Sequence, residues 1–384
     1  MSLRVALVTP EYPGCGPSYG IGAYIRTLAM ALGAAGSEVL ILVCDDVGCW
    51  SVDPGCQPQR LASGSLPFAV RPLVRRHLIQ CHLRAWRPDV VEASNWGGLG
   101  AVAVGPWRLV ARLSTPTRVI RQITPWRRLL KPVHHAWEVA SVRRADVVIA
   151  DSVAMAALGE RVYGRGSDAI IAHGWGGGIG PLVGPGNQVL FVGRMERRKG
   201  IDVLLAAWRL VRRLQPDAML HLVGEDPEGF GAACQRTFGS DGVVIHGRLA
   251  DELLDALRRR CPIQVVASRF ESFGMVVLEA WAGGQAVVAS NAGALPEVVG
   301  TGGRVVATGD PVGLATALAS LLANPAETTR LARLGQERLR TAFSSADYAR
   351  LSLSAYRAGR AHADDRSGLG RSAIGTILGR HASG

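Results

Sequence analysis

Gly174-Trp-Gly-Gly-Gly-Ile-Gly-Pro-Leu-Val-Gly-Pro-Gly186 places seven glycines in thirteen residues. Neither a helix interior nor a central strand tolerates that density, because each glycine costs backbone entropy and offers no side chain to pack. The stretch reads as a hinge between two domains. The 384-residue chain has room for two cores of roughly 150–200 residues each. Its 48% hydrophobic content fills both, which excludes disorder over most of the chain.

Outward from the hinge, the same rhythm appears on both sides. Before it, short apolar runs at Arg4–Val8, Glu38–Val43, Asp89–Glu92, Arg108–Leu113, Asp146–Ala150 and Ala169–Ala172 alternate with helical segments Ile21–Ala35, Pro72–Trp86, Trp126–Arg143 and Ser152–Tyr163. After it come strands Gln188–Gly193, Ala218–Gly224, Val243–Gly247, Ile263–Ala267, Ala286–Ala289 and Arg304–Val306, and helices Gly200–Leu214, Asp251–Arg260, Gly274–Gly283, Pro311–Ala323 and Ala326–Phe343. Several runs are apolar throughout, as strands covered on both faces are. The alternation predicts right-handed βαβ units and parallel sheets. The fold class is α/β, with two Rossmann-like doubly wound domains at 1–180 and 187–345. A closing helix at 346–360 is expected to return to the N-terminal domain, and 361–384 to be a mobile tail. Such a pair leaves a cleft between the carboxyl ends of two sheets, where ligands of these folds bind.

Composition removes other classes. The seven cysteines (15, 44, 49, 56, 81, 234, 261) form no C-x-x-C pair, which argues for a reducing cytoplasm and against a disulfide framework or zinc site. No apolar run approaches the ~18 residues that span a bilayer. Met1–Thr9 carries one short apolar stretch and reads as a first strand, not a signal peptide. The formal charge is +12, but Arg71–Arg144 alone holds 14 basic residues against Asp89, Glu92 and Glu138. A nucleic-acid binder with basic residues spread evenly would look different. Of the 43 basic residues only Lys131 and Lys199 are lysines.

Chemistry concentrates in the second half. Strand Gln188–Gly193 runs into Gly193-Arg-Met-Glu-Arg-Arg-Lys-Gly200 at a helix start. Arg194 and Lys199 beside free helix N–H groups suit a diphosphate, or equally make a solvated basic turn. A chain that defaults to Arg keeps one of its two Lys here, as a compact ammonium site requires. Next, Ser268-Arg-Phe-Glu-Ser-Phe-Gly-Met-Val-Val-Leu-Glu-Ala280 follows an apolar strand. Glu271 falls in the loop and Glu279 inside the helix, both suited to accept from sugar hydroxyls. Gly274 at the helix start lets a phosphate approach. In the first half, the glycine-rich loop before Gly20 and Gly22 is not G-x-G-x-x-G, and no P-loop G-K-[ST] occurs.

These stretches together resemble glycosyltransferase family 4 of the GT-B fold. The matching pieces are Tyr19-Gly-Ile-Gly22, Pro88-Asp-Val-Val-Glu92, Gly193-Arg194 through Lys199-Gly200, Glu271-x7-Glu279 and Asn291-Ala-Gly-Ala-Leu-Pro-Glu-Val-Val299, in family order over roughly residues 3–343. The resemblance implies retaining transfer from a nucleotide-diphosphate sugar, a UDP-sugar for preference, with no cofactor and no obligatory metal; the chain has no D-x-D. It implies that Arg194 and Lys199 hold the donor diphosphate, Glu271 the donor sugar and Glu279 the ribose. Backbone around Ser272, Phe273 and Gly274 would meet the phosphates, and His246-Gly247-Arg248-Leu249 the nucleobase. Gly20 and Gly22 would approach the reacting centre. Catalytic weight falls on Arg194, Lys199 and Glu271. Ser114 stands where many members carry His, and a hydroxyl cannot act as a base near pH 7. His134, His135 and His173 are either substitutes or packing residues.

The resulting expectation is a cytoplasmic hexosyl- or N-acetylhexosaminyltransferase acting on an acceptor hydroxyl, with small-molecule and nucleotide-sugar partners and no nucleic acid. A natural-product acceptor such as an aminoglycoside fits the Ala/Gly/Arg-rich composition of high-GC bacteria. Glu11, Glu92, Ser114 and His173, with Asp45 and Asp46, are candidates for the acceptor side. Trp50, Trp86, Trp96, Trp107, Trp126 and Trp137 offer stacking faces. The alternatives are a nucleotide-sugar epimerase, a non-catalytic sugar-nucleotide binder, a nicotinamide-dependent oxidoreductase (which lacks its fingerprint here), and a peripheral-membrane enzyme with a lipid-linked acceptor. In that last case Pro72–Trp86 would be an amphipathic helix carrying Leu73, Val74, Leu78 and Trp86. The basic segment otherwise forms a solvated face or attracts an anionic acceptor.

Overall fold

A computed structural model describes residues 2–15, 20–44, 48–52, 59–63, 71–123, 132–238 and 242–358. The chain divides into two compact units. One comprises the residues up to Gly176 together with those from Ala342 onward, and the other spans Gly177–Thr341. The division falls inside the glycine-rich stretch, a few residues before the expected end of the first domain at 180. Neither flank of that stretch hangs loose. The Trp175 N–H donates to the Phe343 carbonyl (2.7 Å) in the first unit, and those of Gly180 and Val183 donate to Ala282 (2.8 Å) and Gly284 (3.0 Å) in the second.

The first unit runs β1 (Arg4–Thr9), α1 (Gly20–Ala34), β2 (Glu38–Cys44), β3 (Gly48–Val52), β4 (Gln59–Ser63), α2 (Arg71–Trp86), β5 (Val90–Ser94), a 3-10 segment (Trp96–Ala101) and β6 (Arg108–Arg112). It continues with α3 (Thr117–Ile123), α4 (Pro132–Arg144), β7 (Val147–Ala150), α5 (Val153–Tyr163) and β8 (Ala169–Ile170). Its sheet has the order β4-β3-β2-β1-β5-β6-β7-β8. β1 pairs in parallel with β2 and β5, and β5 to β8 continue in parallel. An entirely parallel sheet was the expectation, but β3 and β4 add an antiparallel edge. Tyr24, Ile25, Leu28 and Leu32 recur at helical spacing on α1 and are buried, which fixes that helix on the sheet. Local signals fix the ends of α5. The Ser152 hydroxyl accepts from the Met155 N–H, and Gly164 closes the helix in the left-handed region at φ 64°.

The second unit runs β9 (Gln188–Val192), a 3-10 turn (Arg197–Lys199), α6 (Ile201–Leu214), β10 (Met219–Val223), α7 (Phe230–Phe238), β11 (Val243–Gly247), α8 (Asp251–Arg258) and β12 (Ile263–Val266). Then come α9 (Met275–Ala282), β13 (Ala286–Ser290), α10 (Leu295–Val299), β14 (Gly303–Val306), α11 (Pro311–Ala323) and α12 (Pro325–Ala342). All its strands are parallel, in the order β11-β10-β9-β12-β13-β14. Val189, Phe191, Leu204, Trp208, Val265 and Leu318 are at the heart of its core. A last helix, α13 (Ser345–Ala358), packs on α1 and belongs to the first unit. The expected tail 361–384 lies outside the described residues.

Both sheets reverse their winding between two central neighbours: β1 and β5 in the first, β9 and β12 in the second. At such a switch point the loops leaving the two strands diverge to opposite faces and open a crevice at the carboxyl edge. The loops after β9 and β12 therefore define the binding edge of the second unit, and those after β1 and β5 that of the first.

Candidate active site

The loop after β9 carries Arg194 and Lys199, and the loop after β12 carries Ser268 and Glu271. Sheet topology thus brings together residues 72 apart in sequence. The Lys199 ammonium donates to Glu271 Oε1 at 2.5 Å, and the Ser268 hydroxyl donates to the same oxygen at 2.7 Å. Gly200 makes the close approach of the loops possible. Its φ is 69°, and a Cβ there would lie 1.8 Å from the Ala267 carbonyl oxygen. Burial pushes the Glu271 carboxyl up, but the charges of Lys199 and Arg198 and the hydrogen bonds from Lys199 and Ser268 carry it below its usual value. Burial pulls the Lys199 ammonium down by more than the Glu271 carboxylate restores. The two groups form an ion pair, with the Lys199 side chain still 21% exposed.

Glu196, absent from the sequence-derived set, organises the surrounding charge. It is buried, accepts from Arg198 Nε at 2.9 Å and lies 4.0 Å from the Arg194 guanidinium. One carboxylate thus holds two arginines at the crevice. The signal was a lone acid within Arg194–Lys199, where four of six residues are basic. Ser272 and Phe273 form the turn into α9, with Phe273 buried, and Gly274 starts that helix at φ 99°. On α9, Glu279 accepts from Arg258 of α8 at 2.5 Å and keeps a 27% exposed side chain.

At the end of β11, His246 is the extra residue of a bulge, since the register with β10 shifts between Leu222 and Val223. Its ring stacks on His221 at 5.2 Å, with Nε2 placed 3.0 Å from His221 Nδ1. Burial, His246 and Arg260 lower His221 to about 4, and burial and Arg260 lower His246 too, so both rings are neutral at pH 7. Gly247 follows at φ 64°, Arg248 reaches Glu225 at 3.5 Å across an exposed surface, and Leu249 packs against the buried cluster of Leu190, Val223, Leu257 and Cys261.

In the first unit each of the four acceptor candidates Glu11, Glu92, Ser114 and His173 is engaged internally. Glu11 accepts from the Gly22 N–H (2.8 Å) and so caps the start of α1, next to Gly20. Glu92 is a correction. It is fully buried, and Arg112 Nε donates to one of its oxygens (2.7 Å) while Arg112 Nη2 (3.1 Å) and the Tyr356 hydroxyl (2.6 Å) donate to the other. A carboxylate so enclosed cannot greet a cationic acceptor. His173 is a second correction. It is buried, stacks on Tyr24 at 4.4 Å and meets the Tyr348 hydroxyl at 3.1 Å. Burial and the Arg112 charge hold it well below its usual value, while burial raises Asp151, 3.5 Å away, to about 8, so both are neutral at pH 7. Ser114 is nearly buried, and both its N–H (2.5 Å) and its hydroxyl (2.9 Å) donate to Asn95 Oδ1.

Behind Ser114 runs a buried chain that sequence reasoning missed. Asn95 Nδ2 donates to the Tyr163 hydroxyl (2.7 Å), which donates to Glu138 Oε2 (3.3 Å), and Thr117 donates to Glu138 from its N–H (3.2 Å) and its hydroxyl. Burial lifts Glu138 to about 7 against these hydrogen bonds. His135 stacks on Tyr163 at 6.3 Å, while the His134 side chain is half-buried on the same helix.

Among the described residues of the basic segment, Arg76, Arg84, Arg87 and Arg118 are exposed. Arg112 is buried, and Arg108, Arg143 and Arg144 close the carbonyls of Tyr356, Tyr163 and Ala101. On α2 the buried apolar residues are Ile79 and Leu83, while Val74 and Leu78 are half-buried and Trp86 carries the Arg4 guanidinium on its ring at 4.6 Å. Trp50 and Trp107 are buried and Trp137 is exposed. Asp45, Asp46 and Trp126 lie outside the described residues. Among the described residues no helix is long and apolar enough to cross a membrane.

Comparison with known proteins gives concordant matches. Residues 19–174 match the family model described as glycosyl transferase 4-like domain, and residues 186–324 that of glycosyl transferases group 1. Over 381 residues the chain is 31% identical to a glycogen synthase of Mycobacterium tuberculosis, covering 89% of this chain and 91% of that one. Among solved structures, the sucrose-phosphate synthase from Thermosynechococcus elongatus superposes with a TM-score of 0.76 at 23% identity, covering 92% of this chain and 98% of that one. Anabaena HepE in complex with UDP and glucose gives 0.66 at 18% identity, covering 92% and 98%. At these identities the structural likeness bears on the fold.

Proposed function

The chain belongs to the GT-B glycosyltransferases of family 4 type, and from that premise we propose that it moves a hexosyl or N-acetylhexosaminyl group from a nucleotide-diphosphate sugar to an acceptor hydroxyl, with retention and without a metal. The observation that carries this is the crevice between β9 and β12, where Lys199 contacts the Glu271 carboxylate and Arg194, on the same loop as Lys199, lies beside Glu196. Two cations match a diphosphate, and a carboxylate matches sugar hydroxyls. The UDP bound by HepE and the sugar-polymer chemistry named for the mycobacterial relative support a UDP-linked hexose as donor. The absence of a membrane-crossing helix among the described residues fits a reaction in the cytoplasm.

The chemistry follows from the charges. Cleavage of the bond between the anomeric carbon and the phosphate oxygen leaves a growing negative charge on the nucleoside diphosphate. Lys199 and Arg194 neutralise it, and donors of this kind are worth about 10²–10³-fold in rate, or roughly 3–4 kcal/mol. When a phosphate oxygen takes over Lys199, Glu271 is released to accept from a sugar hydroxyl, while Ser268 still holds its Oε1. Glu279 serves the ribose. The acceptor oxygen attacks the face from which the phosphate departs, and the leaving phosphate takes its proton. His246 through Leu249 meet the base, and Ser272 through Gly274 the phosphates. The first unit presents the acceptor.

The test is a panel of nucleotide sugars with candidate acceptors, including aminoglycoside-type natural products, read by mass spectrometry and by NMR of the new linkage. Retention at the anomeric carbon and loss of transfer in Lys199→Ala are expected. Inversion, near-normal turnover in that variant, or epimerised sugar formed without acceptor would each overturn the proposal.

A further inference from the structure

Arg269, next to Ser268 in the loop after β12, binds the loop after β9 at four points. Its backbone N–H donates to the Arg198 carbonyl (2.8 Å), and its Nη1 donates to the Arg197 carbonyl (2.6 Å). Its guanidinium also pairs both ends with Asp202, Nη1 to Oδ1 at 2.6 Å and Nη2 to Oδ2 at 2.8 Å. Asp202 lies in the first turn of α6, immediately after the 3-10 turn that presents Lys199. One side chain therefore fastens both ends of the short segment on which Lys199 rides, and fastens it to the loop that carries Glu271.

We propose that Arg269, through Asp202 and the Arg197 carbonyl, is a positioning residue that sets the Lys199 ammonium against Glu271 and thereby the grip on the donor's diphosphate. The role is separable from stability. Arg269 and Asp202 are about one-third exposed, and an ion pair so exposed adds little to the folded state. A misplacement of order 1 Å at a charge-binding group, by contrast, costs up to about 100-fold in function. A planar fork that meets a carboxylate at two points while also reaching a carbonyl is a task for Arg, which Lys cannot perform.

The inference rests on the proposed donor site, so its test separates the two. The full chain is titrated calorimetrically with UDP and UMP (and with the adenine and guanine pairs), alongside Arg269→Ala, Asp202→Asn and Lys199→Ala. Arg269→Ala should weaken diphosphate binding about tenfold or more, leave monophosphate binding within about twofold, and move the melting temperature by no more than about 3 °C. Asp202→Asn should give a smaller loss of the same kind, and it carries the test should Arg269→Ala fail to fold. The double substitution Arg269→Ala/Asp202→Ala should lose no more than Arg269→Ala alone, as two members of one device do. Diphosphate binding unchanged in Arg269→Ala and Asp202→Asn, but lost in Lys199→Ala, overturns the positioning role and leaves the donor site standing. Equal losses of monophosphate and diphosphate binding overturn it in favour of a merely structural role. A wild-type chain that binds no nucleoside diphosphate overturns the donor site, and the positioning role with it.

Discussion

Replacing Glu92 with Leu should destabilise the first unit far more than replacing Glu92 and Arg112 together. Both side chains are fully buried. In Glu92→Leu the Arg112 guanidinium loses the partners of its Nε (2.7 Å) and Nη2 (3.1 Å). It keeps the Ser352 hydroxyl at 3.2 Å and the Tyr348 ring at 5.2 Å, and its Nη1 already has no partner among the described residues. An uncompensated buried charge of this kind costs about 3–5 kcal/mol. For a unit of this size that lowers the melting temperature by roughly 6–20 °C. In Glu92→Leu/Arg112→Leu the charge is gone. The remaining debt is the Tyr356 hydroxyl, which loses its acceptor at a cost of about 1–3 kcal/mol, and Tyr356→Phe removes that too. Seven of the nine tryptophans precede Gly176, so fluorescence during urea unfolding follows mainly the first unit. That unit's own transition is the one to fit, because a two-unit chain need not unfold in one step. Wild-type stability in Glu92→Leu, or a double variant less stable than the single by the full cost of a second lesion, would refute the reasoning. So would a change confined to acceptor affinity.

Other expectations are as direct. Glu138 and Asp151 have folded pKa values raised to about 7 and about 8, so the stability they confer is complete below their unfolded values near 4 and is lost as pH rises through the folded ones. Glu138→Gln should therefore melt higher than wild type at pH 8 and nearly the same at pH 4, in thermal scans across that window. Gly200→Ala places a Cβ against the Ala267 carbonyl at positive φ, and should cost more than about 1 kcal/mol and lower donor affinity, measured by calorimetry. Ser268→Ala removes a hydrogen bond that lowers the Glu271 pKa, so the acid limb of the activity profile should move to higher pH, read as kcat/KM against pH.

The parts of this structure that sequence made legible are the local and the periodic. β1, β5, β9 and β12 announce themselves as short apolar runs. The loops after β9 and β12 stood out because charged residues follow such runs directly, where a crevice must open. The antiparallel edge did not show: Gly48–Val52 and Gln59–Ser63 mix glycine, cysteine and polar residues and carry no alternating pattern. The buried polar networks were illegible for another reason. Glu92 and Arg112 are 20 residues apart and Tyr356 is 264 from Glu92, so their meeting is a product of sheet order and of the return of α13. A signal was nonetheless present, since a charge inside a strand covered on both faces must have a partner. Glu92 in VVEAS and Arg112 in RLVAR each break an apolar run. The net charge of Arg71–Arg144 did not distinguish the buried Arg112, paired with Glu92, from exposed arginines such as Arg76, Arg84 and Arg118.

A crystal structure of the chain with UDP bound tests the donor site most directly. Oxygens of the diphosphate should lie within about 3 Å of the Lys199 ammonium and the Arg194 guanidinium, with Lys199 drawn away from its 2.5 Å contact with Glu271. A diphosphate seated elsewhere, touching neither cation while the Lys199–Glu271 contact stays closed, would contradict it.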